Sequence, residues 1–320
     1  MFWIRIVFDK LLSEIKKNNY KSISKAISLV ENNNTDLINE ISSYFPINKK
    51  VHRIGITGPP GAGKSSITNL LIKKYRKDNL KVAVLLVDPS SPFTKGAVLG
   101  DRIRMLNYYN DDNVFIRSFG SRGSSGGLSE NINEIADIFS LASYDIIIFE
   151  TVGVGQIEID VVEQVDSVIL VLVPESGDDI QMLKAGIIEI ADIFVINKSD
   201  RSDADKLLVS LKKILSLVSL DNNGLVWSYP IIKTVAINDF GVDDLMKELN
   251  NHFIFLNNQN NIINNKINNR YTSQINKILN KKLIDLFWND KNVEILNNEL
   301  NKDIKDRSSP YSLVKKLLND

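Results

Sequence analysis

The 320-residue chain contains no cysteine, only two histidines, no excess of charge of either sign and no long apolar run. Without cysteine it can form no disulfide, no thiolate metal site and no cysteine nucleophile. The histidines, His52 and His252, are unclustered in the sequence, so we interpret each as structural. The 39 basic and 39 acidic residues cancel, which gives no global electrostatic reason to expect a nucleic acid or a membrane as partner.

The hydrophobic content is sufficient for a globular protein but is not arranged for a membrane. Hydrophobic residues make up 43% of the chain, and no run of them approaches the roughly 18 to 20 residues of a membrane span. The segment 1–12 carries Arg5, Asp9 and Lys10 and leads into no small-residue cleavage site, so a secretory signal is not expected. We expect a cytoplasmic protein with one large domain and appendages, or with two domains.

Periodicity predicts three regions. Apolar residues at helical spacing indicate an N-terminal helical arm over 1–50, in which Ser22 is the expected N-cap of a helix that ends at three asparagines, Asn32 to Asn34. From 51 to 250, apolar strands alternate with helical segments, which predicts an α/β fold with a mostly parallel sheet flanked by helices. The expected strands are 51–57, 82–87, 114–116, 145–149, 167–173, 193–196 and 231–235.

The last region, 251–320, is predicted to be helical. The stretch 250–269 holds ten asparagines in twenty residues, which is typical of a solvated linker or of a helix surface with biased composition. After it, a broad apolar stripe runs from Ile275 to Phe287 at helical spacing. Such a stripe outside the main sheet must pack on something, either the preceding domain or a second copy of the chain. We therefore expect a C-terminal dimerisation arm.

One motif predicts a nucleoside triphosphate as ligand. The pattern G-x-x-x-x-G-K-[ST] is matched by Gly58, Pro59, Pro60, Gly61, Ala62, Gly63, Lys64 and Ser65, and Ser66 follows it. An apolar strand precedes the loop and a helical pattern follows it, which is the setting of a phosphate-binding P-loop. Backbone N–H groups there form an anion site at a helix N-terminus. We expect Lys64 to reach the β and γ phosphates and Ser65 to bind Mg²⁺.

A second motif favours guanine as the base. Asn197, Lys198 and Asp200 follow directly on an apolar strand and form the NKxD pattern. The Asp200 carboxylate can accept hydrogen bonds from N1–H and the exocyclic amine of guanine, whereas adenine offers no matching pair of donors. By itself the tetrapeptide also makes a common exposed turn. We expect backbone groups of Val235, Ala236 and Ile237, at the end of the last strand, to face the guanine edge.

Acidic residues at strand ends complete the predicted catalytic set. Glu150 ends a buried strand and suits a Walker B role toward Mg²⁺ or the attacking water. Asp88 ends another strand before Pro89, while Asp101 fits either a helix cap or a functional role. Ras-like GTPases carry a water-orienting glutamine where this chain has Val154, so we expect slow intrinsic hydrolysis. The loops 121–127 and 175–179 are interpreted as flexible linkers or as nucleotide-sensing switches.

These motifs together resemble those of the methylmalonyl-CoA mutase-associated GTPases, the MeaB/ArgK proteins of the SIMIBI class of P-loop GTPases. The resemblance rests on GPPGAGKSS at 58–66, DPSS at 88–91, GDRIRM at 100–105, ETVGVGQ at 150–156, the stretch 177–186, NKSD at 197–200 and SPY at 309–311. It implies a homodimeric GTPase that binds GTP, GDP and Mg²⁺, gates delivery of adenosylcobalamin to a cobalamin-dependent acyl-CoA mutase, and protects that mutase.

The resemblance also implies roles for individual residues. It implies that Asp88 and Asp101 lie in a first switch, Glu150 in a second, and 175–186 in a third that senses the partner. On this basis Lys64, Asp88 and Glu150 are the expected catalytic residues, and Ser65 and Asp101 the expected metal ligands. The chain departs from the family pattern at Ser125, where Leu is usual, and at Val235, where Ser is usual.

Three other functions fit the sequence less well. A GTPase metallochaperone would hold nickel or zinc through Cys and His, which this chain lacks in clustered form. A P-loop kinase linked to arginine and ornithine transport would need an acceptor site with a base, and no such constellation is evident beyond the switch acids. A binding-only module is disfavoured by the intact set of Lys64, Ser65 and Glu150.

Overall fold

The structure is a computed structural model that describes residues 2–44, 51–89, 105, 108, 110–121, 131–151, 163–174, 190–218 and 227–319. Within these ranges the chain forms seven β-strands, ten α-helices and two short 3₁₀ helices. Two compact units are distinguished, Met1–Lys266 and Ile267–Asp320.

The first unit is built on a seven-stranded sheet in the order β3-β2-β4-β1-β5-β6-β7, and every pair of neighbours is parallel. The strands are β1 His52–Thr57, β2 Val82–Pro89, β3 Val114–Ser121, β4 Ile146–Thr151, β5 Ser167–Leu172, β6 Ile193–Ile196 and β7 Ile231–Lys233. The predicted α/β fold with a parallel sheet is confirmed. All seven strands were predicted, and β3 is longer than predicted because it pairs with β2 along its whole length, from Val82↔Val114 to Pro89↔Ser121.

Alternating side chains bury both faces of the sheet. One face packs against α1 Phe2–Lys16, α2 Tyr20–Glu31, α3 Thr35–Ser42, α5 Ile132–Leu141 and α6 Ala204–Val218. The other face packs against α4 Lys64–Lys77 and α7 Val242–Asn258. In β4, for example, Ile147 joins the first layer and Ile148 the second, as the period of two requires. A parallel sheet needs such cover on both faces.

The N-terminal helices follow the predicted pattern with one correction. The apolar face of α2 is buried as expected, and its residues Ile23, Ala26, Ile27 and Val30 have no exposed surface. Ser22 is not the N-cap of this helix, so that prediction is wrong. Asn19 caps it instead, with its Oδ1 accepting from the Ser22 N–H at 3.0 Å, since a side-chain oxygen must come before the first helical turn to reach its free N–H groups.

The asparagine-rich stretch 250–269 is helical, which decides between its two interpretations. It spans the end of α7 and the start of α8 Asn260–Phe287, which meet at Gln259. In α7, Leu249, His252 and Leu256 are buried while Asn250 and Asn251 are exposed. The asparagines therefore occupy a solvated helix surface, and the alternative of a linker is wrong.

The second unit continues α8 and adds α9 Asp290–Leu300, a 3₁₀ helix Ile304–Asp306 and α10 Pro310–Asn319. Among the residues described, no helix is both long enough and apolar enough to cross a membrane. The division into a helical arm, an α/β domain and a C-terminal helical region stays a prediction.

Candidate nucleotide site

The carboxyl ends of the central strands bring the predicted motifs to one edge of the sheet. The P-loop follows β1, Glu150 lies in β4, Asn197 follows β6, and the segment 235–237 comes just after β7. Because all these strands are parallel, their ends meet at the same edge, where open α/β sheets bind ligands. The structure therefore assembles the predicted P-loop, Walker B and NKxD residues in one place.

The P-loop backbone requires glycine at two positions where other chain segments approach closely. Gly58 has a φ of +142°, and a Cβ there would lie 2.1 Å from the carbonyl oxygen of Val171 in β5. Gly63, the N-cap of α4, has a φ of +92°, and its Cβ would lie 2.3 Å from Nδ2 of Asn197. The loop thus curls tightly against β5 and against the NKxD motif, and α4 starts directly behind it.

Lys64 and Ser65 begin α4 and are both buried. The Lys64 ammonium donates to two carbonyl oxygens of its own loop, Gly58 at 2.6 Å and Pro59 at 3.0 Å. The Ser65 hydroxyl donates to Oε1 of Glu150 at 2.5 Å. This last bond connects the P-loop to the end of β4, as the Walker B interpretation of Glu150 requires.

This oxygen pair suits Mg²⁺. The ion prefers hard oxygen donors, and proteins usually hold it through one or two residues together with substrate phosphates and water. Ser65 and Glu150 supply a hydroxyl and a carboxylate in contact with each other, and Glu150 is only 1% exposed. Across the described ranges there is no group of three or more His, Cys, Asp or Glu residues able to hold a metal by themselves. The chemistry therefore fits a metal shared with phosphates.

Asn197 connects the P-loop to the segment after β7. Its Nδ2 donates to the Ala62 carbonyl at 2.8 Å, and its Oδ1 accepts from the Thr234 hydroxyl and from the Ala236 N–H, both at 3.1 Å. The side chain is 3% exposed, so all three bonds are shielded from water and are costly to break. One amide thereby fixes the phosphate loop and the predicted base-reading segment relative to each other.

The other residues of the NKxD motif are less buried than Asn197. Lys198 adopts a left-handed backbone conformation, with a φ of 55°, and its ammonium donates to the Gly61 carbonyl at 2.9 Å. Asp200 is exposed. After β7, Val235 and Ala236 are buried, whereas Ile237 is 86% exposed. The Asp200 carboxylate and the Ile237 side chain are thus open to a ligand at this edge.

Several predicted residues lie outside the described part of the chain. They are Asp101, Val154, Gln156 and the segments 122–127 and 175–186. Asp88 is described through its backbone alone, next to the last residue of β2.

Thr234 is a site residue that sequence reasoning missed. It has no exposed surface, and in addition to its hydroxyl contact with Asn197 its carbonyl accepts from the Ser199 N–H at 3.1 Å. Its N–H donates to the Ile196 carbonyl at 2.9 Å. The sequence offered one signal for this role, which is the position of Thr234 directly before the segment 235–237. A residue that joins β7 to that segment must also contact the end of β6.

The two histidines are far apart in the sequence, but the fold brings them into one hydrogen-bond network. His52 Nε2 and His252 Nδ1 both lie 2.7 Å from the Ser167 hydroxyl oxygen, and His252 Nε2 lies 3.4 Å from Oδ1 of Asp192. If Nε2 of His252 carries its proton toward Asp192, then Nδ1 accepts from Ser167, and Ser167 accepts from His52. The network lies at the start of β1, β5 and β6, the edge opposite the P-loop.

Burial makes both of these histidines poor bases. It is the main cause that lowers the pKa of His52 to about 4 and that of His252 to about 3. Nearby carboxylates, Asp166 among them, oppose this effect but do not cancel it. Both rings are therefore neutral at pH 7 and act as structural hydrogen-bonding groups, as the sequence interpretation of each one held.

Comparison with known proteins supports a single family. Residues 23–292 match the family model for the methylmalonyl Co-A mutase-associated GTPase MeaB. A provisionally named GTPase of Pyrococcus horikoshii is 46% identical over 248 residues, which are 78% of each chain. The GTPase ArgK of Escherichia coli is 33% identical over 73% of this chain and 72% of its own. The mitochondrial methylmalonic aciduria type A homolog of Mus musculus is 34% identical over 74% of this chain and 61% of its own.

A solved structure supports the fold. The crystal structure of an LAO/AO transport system kinase matches with a TM-score of 0.68 and 22% identity, over 98% of this chain and 97% of that one. At this identity the match shows a shared P-loop fold and no more. The family match covers most of the chain, including the P-loop and the NKxD motif. The chain belongs to the methylmalonyl-CoA mutase-associated GTPases of the MeaB type, and it is a GTPase.

Proposed function

We propose that this chain is a guanine-specific, Mg²⁺-dependent GTPase that gates delivery of adenosylcobalamin to an acyl-CoA mutase of the methylmalonyl-CoA mutase type and protects that mutase. The observation that carries the nucleotide assignment is the buried Asn197 side chain, which joins Ala62 in the P-loop to Thr234 and Ala236. The mutase is assigned from the family to which the chain belongs.

In the proposed site, phosphates and base are bound by different elements. The N–H groups of the P-loop and the N-terminus of α4 bind the β and γ phosphates, with the Lys64 ammonium neutralising their charge. Asp200 accepts from N1–H and the amine of guanine. An adenine would leave this carboxylate without donors, which costs about 1–3 kcal/mol. Base choice therefore depends on Asp200, while phosphate affinity depends on Lys64.

Hydrolysis in this site is proposed to be slow without a partner. Ser65 and Asp101 would hold Mg²⁺, which would supply charge neutralisation at the phosphates when bound. Glu150, whose carboxylate contacts the Ser65 hydroxyl, and Asp88 orient the water and the ligands around the γ phosphate. Val154 provides no hydrogen-bonding group for the water, in contrast to the glutamine of Ras-like GTPases. A partner that contacts the segments 122–127 and 175–186 would complete the site.

Protection of the mutase can be measured directly. A cobalamin-dependent methylmalonyl-CoA mutase from the same organism is allowed to turn over, and its loss of activity with time is followed with and without this chain and GTP. We expect slower inactivation with the chain and GTP together, because the GTP-bound protein is proposed to bind the mutase. Equal inactivation with and without the chain would contradict the proposed protection.

Two variants of α4 separate nucleotide binding from other effects. Lys64→Met should lose protection, since the γ phosphate can no longer be sensed. Lys77→Met, an exposed residue near the end of the same helix, should protect as well as the wild type. Protection by Lys64→Met at the wild-type level would show that the nucleotide plays no part in it.

We also propose that the C-terminal region is a dimerisation arm. Among the described residues of 267–320, Leu317 is the one buried apolar residue, while α8 carries a stripe of exposed ones. The stripe includes Tyr271, Ile275, Ile278, Leu279, Leu283 and Leu286. A stripe of exposed apolar residues on one helix differs from the singly scattered ones of a monomer surface, and a second copy of the chain is the proposed cover. The three-part division at 50 and 250 is proposed from the sequence pattern.

Sedimentation equilibrium tests the arm. The wild type should sediment at twice the chain mass of 36.1 kDa, and Ile275→Glu combined with Leu283→Glu should sediment as a monomer because two buried charges would face the interface. Asn264→Glu combined with Asn268→Glu, on exposed positions of the same helix, is the matched control and should remain dimeric. A monomeric wild type at micromolar concentration would contradict the proposal.

A further inference from the structure

An ion-pair group connects the P-loop helix to the turn that follows β7. The Lys74 ammonium, near the end of α4, lies 2.8 Å from Oδ1 of Asp243 and 3.5 Å from Oδ1 of Asp239. Lys73 Nζ lies 3.5 Å from the other oxygen of Asp239. Two carboxylates from the segment 236–243 thus meet one ammonium of the helix that begins at the P-loop.

The two lysines differ in how much water surrounds them. The Lys74 side chain is 20% exposed and that of Lys73 is 65% exposed. A hydrogen bond with Asp243 is the main cause that raises the pKa of Lys74 above its ordinary value, and Asp239 adds to it. Lys74 contacts two carboxylates, one in the turn and one at the start of α7, whereas the more exposed Lys73 contacts only one of them and is peripheral.

The turn itself is a compact element with defined contacts. A 3₁₀ helix covers Ala236–Asn238, and Asp239 then adopts a left-handed conformation with a φ of 58°. Val235 and Phe240 exchange backbone hydrogen bonds across the turn at 3.1 and 3.4 Å. Because these bonds close the turn on itself, fixing Asp239 fixes the orientation of the whole segment 235–240.

The same segment reaches the nucleotide edge at its other end. The Ala236 N–H donates to Oδ1 of Asn197, the residue that also binds the P-loop. Beneath the turn, Ala236 shares a core with Ile67 and Leu71 of α4 and with Val242 and Leu245 of α7. The turn is therefore held at one end by Asn197, below by apolar packing, and at its outer end by Lys74.

We propose that Lys74 is a positioning residue for guanine recognition: its ion pairs with Asp239 and Asp243 hold the turn 235–240 in the orientation in which it meets the base. This proposal rests on the proposed guanine site. Lys74 touches neither phosphate nor base in this account, and it acts through the turn. Loss of the Lys74 ammonium should weaken the binding of guanine nucleotides, whose base meets the turn, and should leave phosphate binding unchanged.

Nucleotide titration of Lys74→Met tests the proposal. We expect its Kd for GDP to rise about two- to fivefold, the range open to an ion-pair group that water reaches. The Kd for ADP should not change, since adenine has no donors for Asp200 and gains little from an ordered turn. In GTP hydrolysis the same variant should show a higher KM with an unchanged kcat, because the residues around the γ phosphate are intact.

Matched variants separate positioning from general stability. Lys73→Met removes a lysine from the same helix turn and should leave the Kd for GDP at the wild-type value. Lys74→Arg keeps the charge and should restore most of the affinity. If Lys74→Met does not fold, Asp243→Asn addresses the same contact from a carboxylate that is 81% exposed, and it should raise the Kd for GDP in the same direction.

The outcomes distinguish the positioning role of Lys74 from the proposed guanine site on which that role rests. If the wild type binds GDP and ADP equally, the guanine site itself is wrong. If the wild type prefers GDP, but Lys74→Met or Asp243→Asn keeps the wild-type Kd for GDP, the positioning role is overturned and guanine recognition stands. An equal loss of affinity for GDP and ADP would also overturn the positioning role, because it would indicate a general loosening of the site.

Discussion

At the scale of single residues, Asn197 and Asp200 differ in burial and in contacts within the NKxD motif. Asn197 is buried and makes three hydrogen bonds within the protein, so its role is to keep two loops in register. Asp200 is exposed and is open to a ligand. Sequence reasoning predicted both residues from a four-residue pattern, but it gave no partners for Asn197, because Ala62 and Thr234 are distant along the chain and are brought together only by the sheet.

Asp200→Asn is predicted to relax base choice. The amide presents a donor where guanine also presents donors, so the GTP preference over ATP should fall by about 5- to 150-fold, the equivalent of about 1–3 kcal/mol. The ratio of Kd values for GDP and ADP measures this. Asp203→Asn, a nearby residue that pairs with Lys206, is the control and should keep the wild-type ratio. An unchanged ratio in Asp200→Asn would mean that NKSD is only a turn.

At the scale of elements, periodicity predicted the strands and the helix surfaces well. It failed to predict side-chain networks that depend on contacts between residues far apart in the sequence. The positions of β1 and β6 follow from short apolar runs between polar residues. The network of His52, Ser167 and His252 could not be predicted, because its members come from β1, β5 and α7 and carry no local pattern. The one signal of this network in the sequence was a polar residue at the start of a buried strand, and such a residue does not identify its hydrogen-bond partner.

The histidine network predicts a loss of stability on mild acidification. Both folded-state pKa values, about 4 and about 3, lie below the ordinary value near 6.5, so the unfolded chain binds more protons between pH 6.5 and 4. Stability from this source is therefore complete above pH 6.5 and falls as the pH drops toward 4. Between pH 7 and pH 5 the free energy of unfolding should fall by on the order of 4 kcal/mol, about 2 kcal/mol for each histidine.

Urea unfolding at a series of pH values measures this effect. Since the chain has only two histidines, the decline between pH 7 and pH 5 should become clearly shallower in His252→Gln, which cannot take up a proton. The wild type and His252→Gln are compared at equal ionic strength. A decline of the same slope in both proteins would show that other groups are responsible.

At the scale of the whole molecule, the nucleotide edge of the sheet and the exposed apolar stripe of α8 belong to different units. The first unit has a complete two-layer core around its sheet. No further element is therefore needed to explain the stability of the fold that carries the nucleotide site. The described residues of the second unit bury little apolar surface by themselves. Composition and periodicity predicted this helical stripe, whereas its cover by a second copy of the chain is a proposal that the sequence of one chain cannot test.

The rate of phosphate release from GTP, with and without a cobalamin-dependent methylmalonyl-CoA mutase, is the measurement that tests the account most directly. At saturating nucleotide we predict slow release from GTP alone, a clear acceleration by the mutase, and little release from ATP in either condition. Lys64→Met should show neither the basal nor the accelerated rate. A GTP rate that the mutase leaves unchanged, or equal turnover of GTP and ATP, would contradict the account.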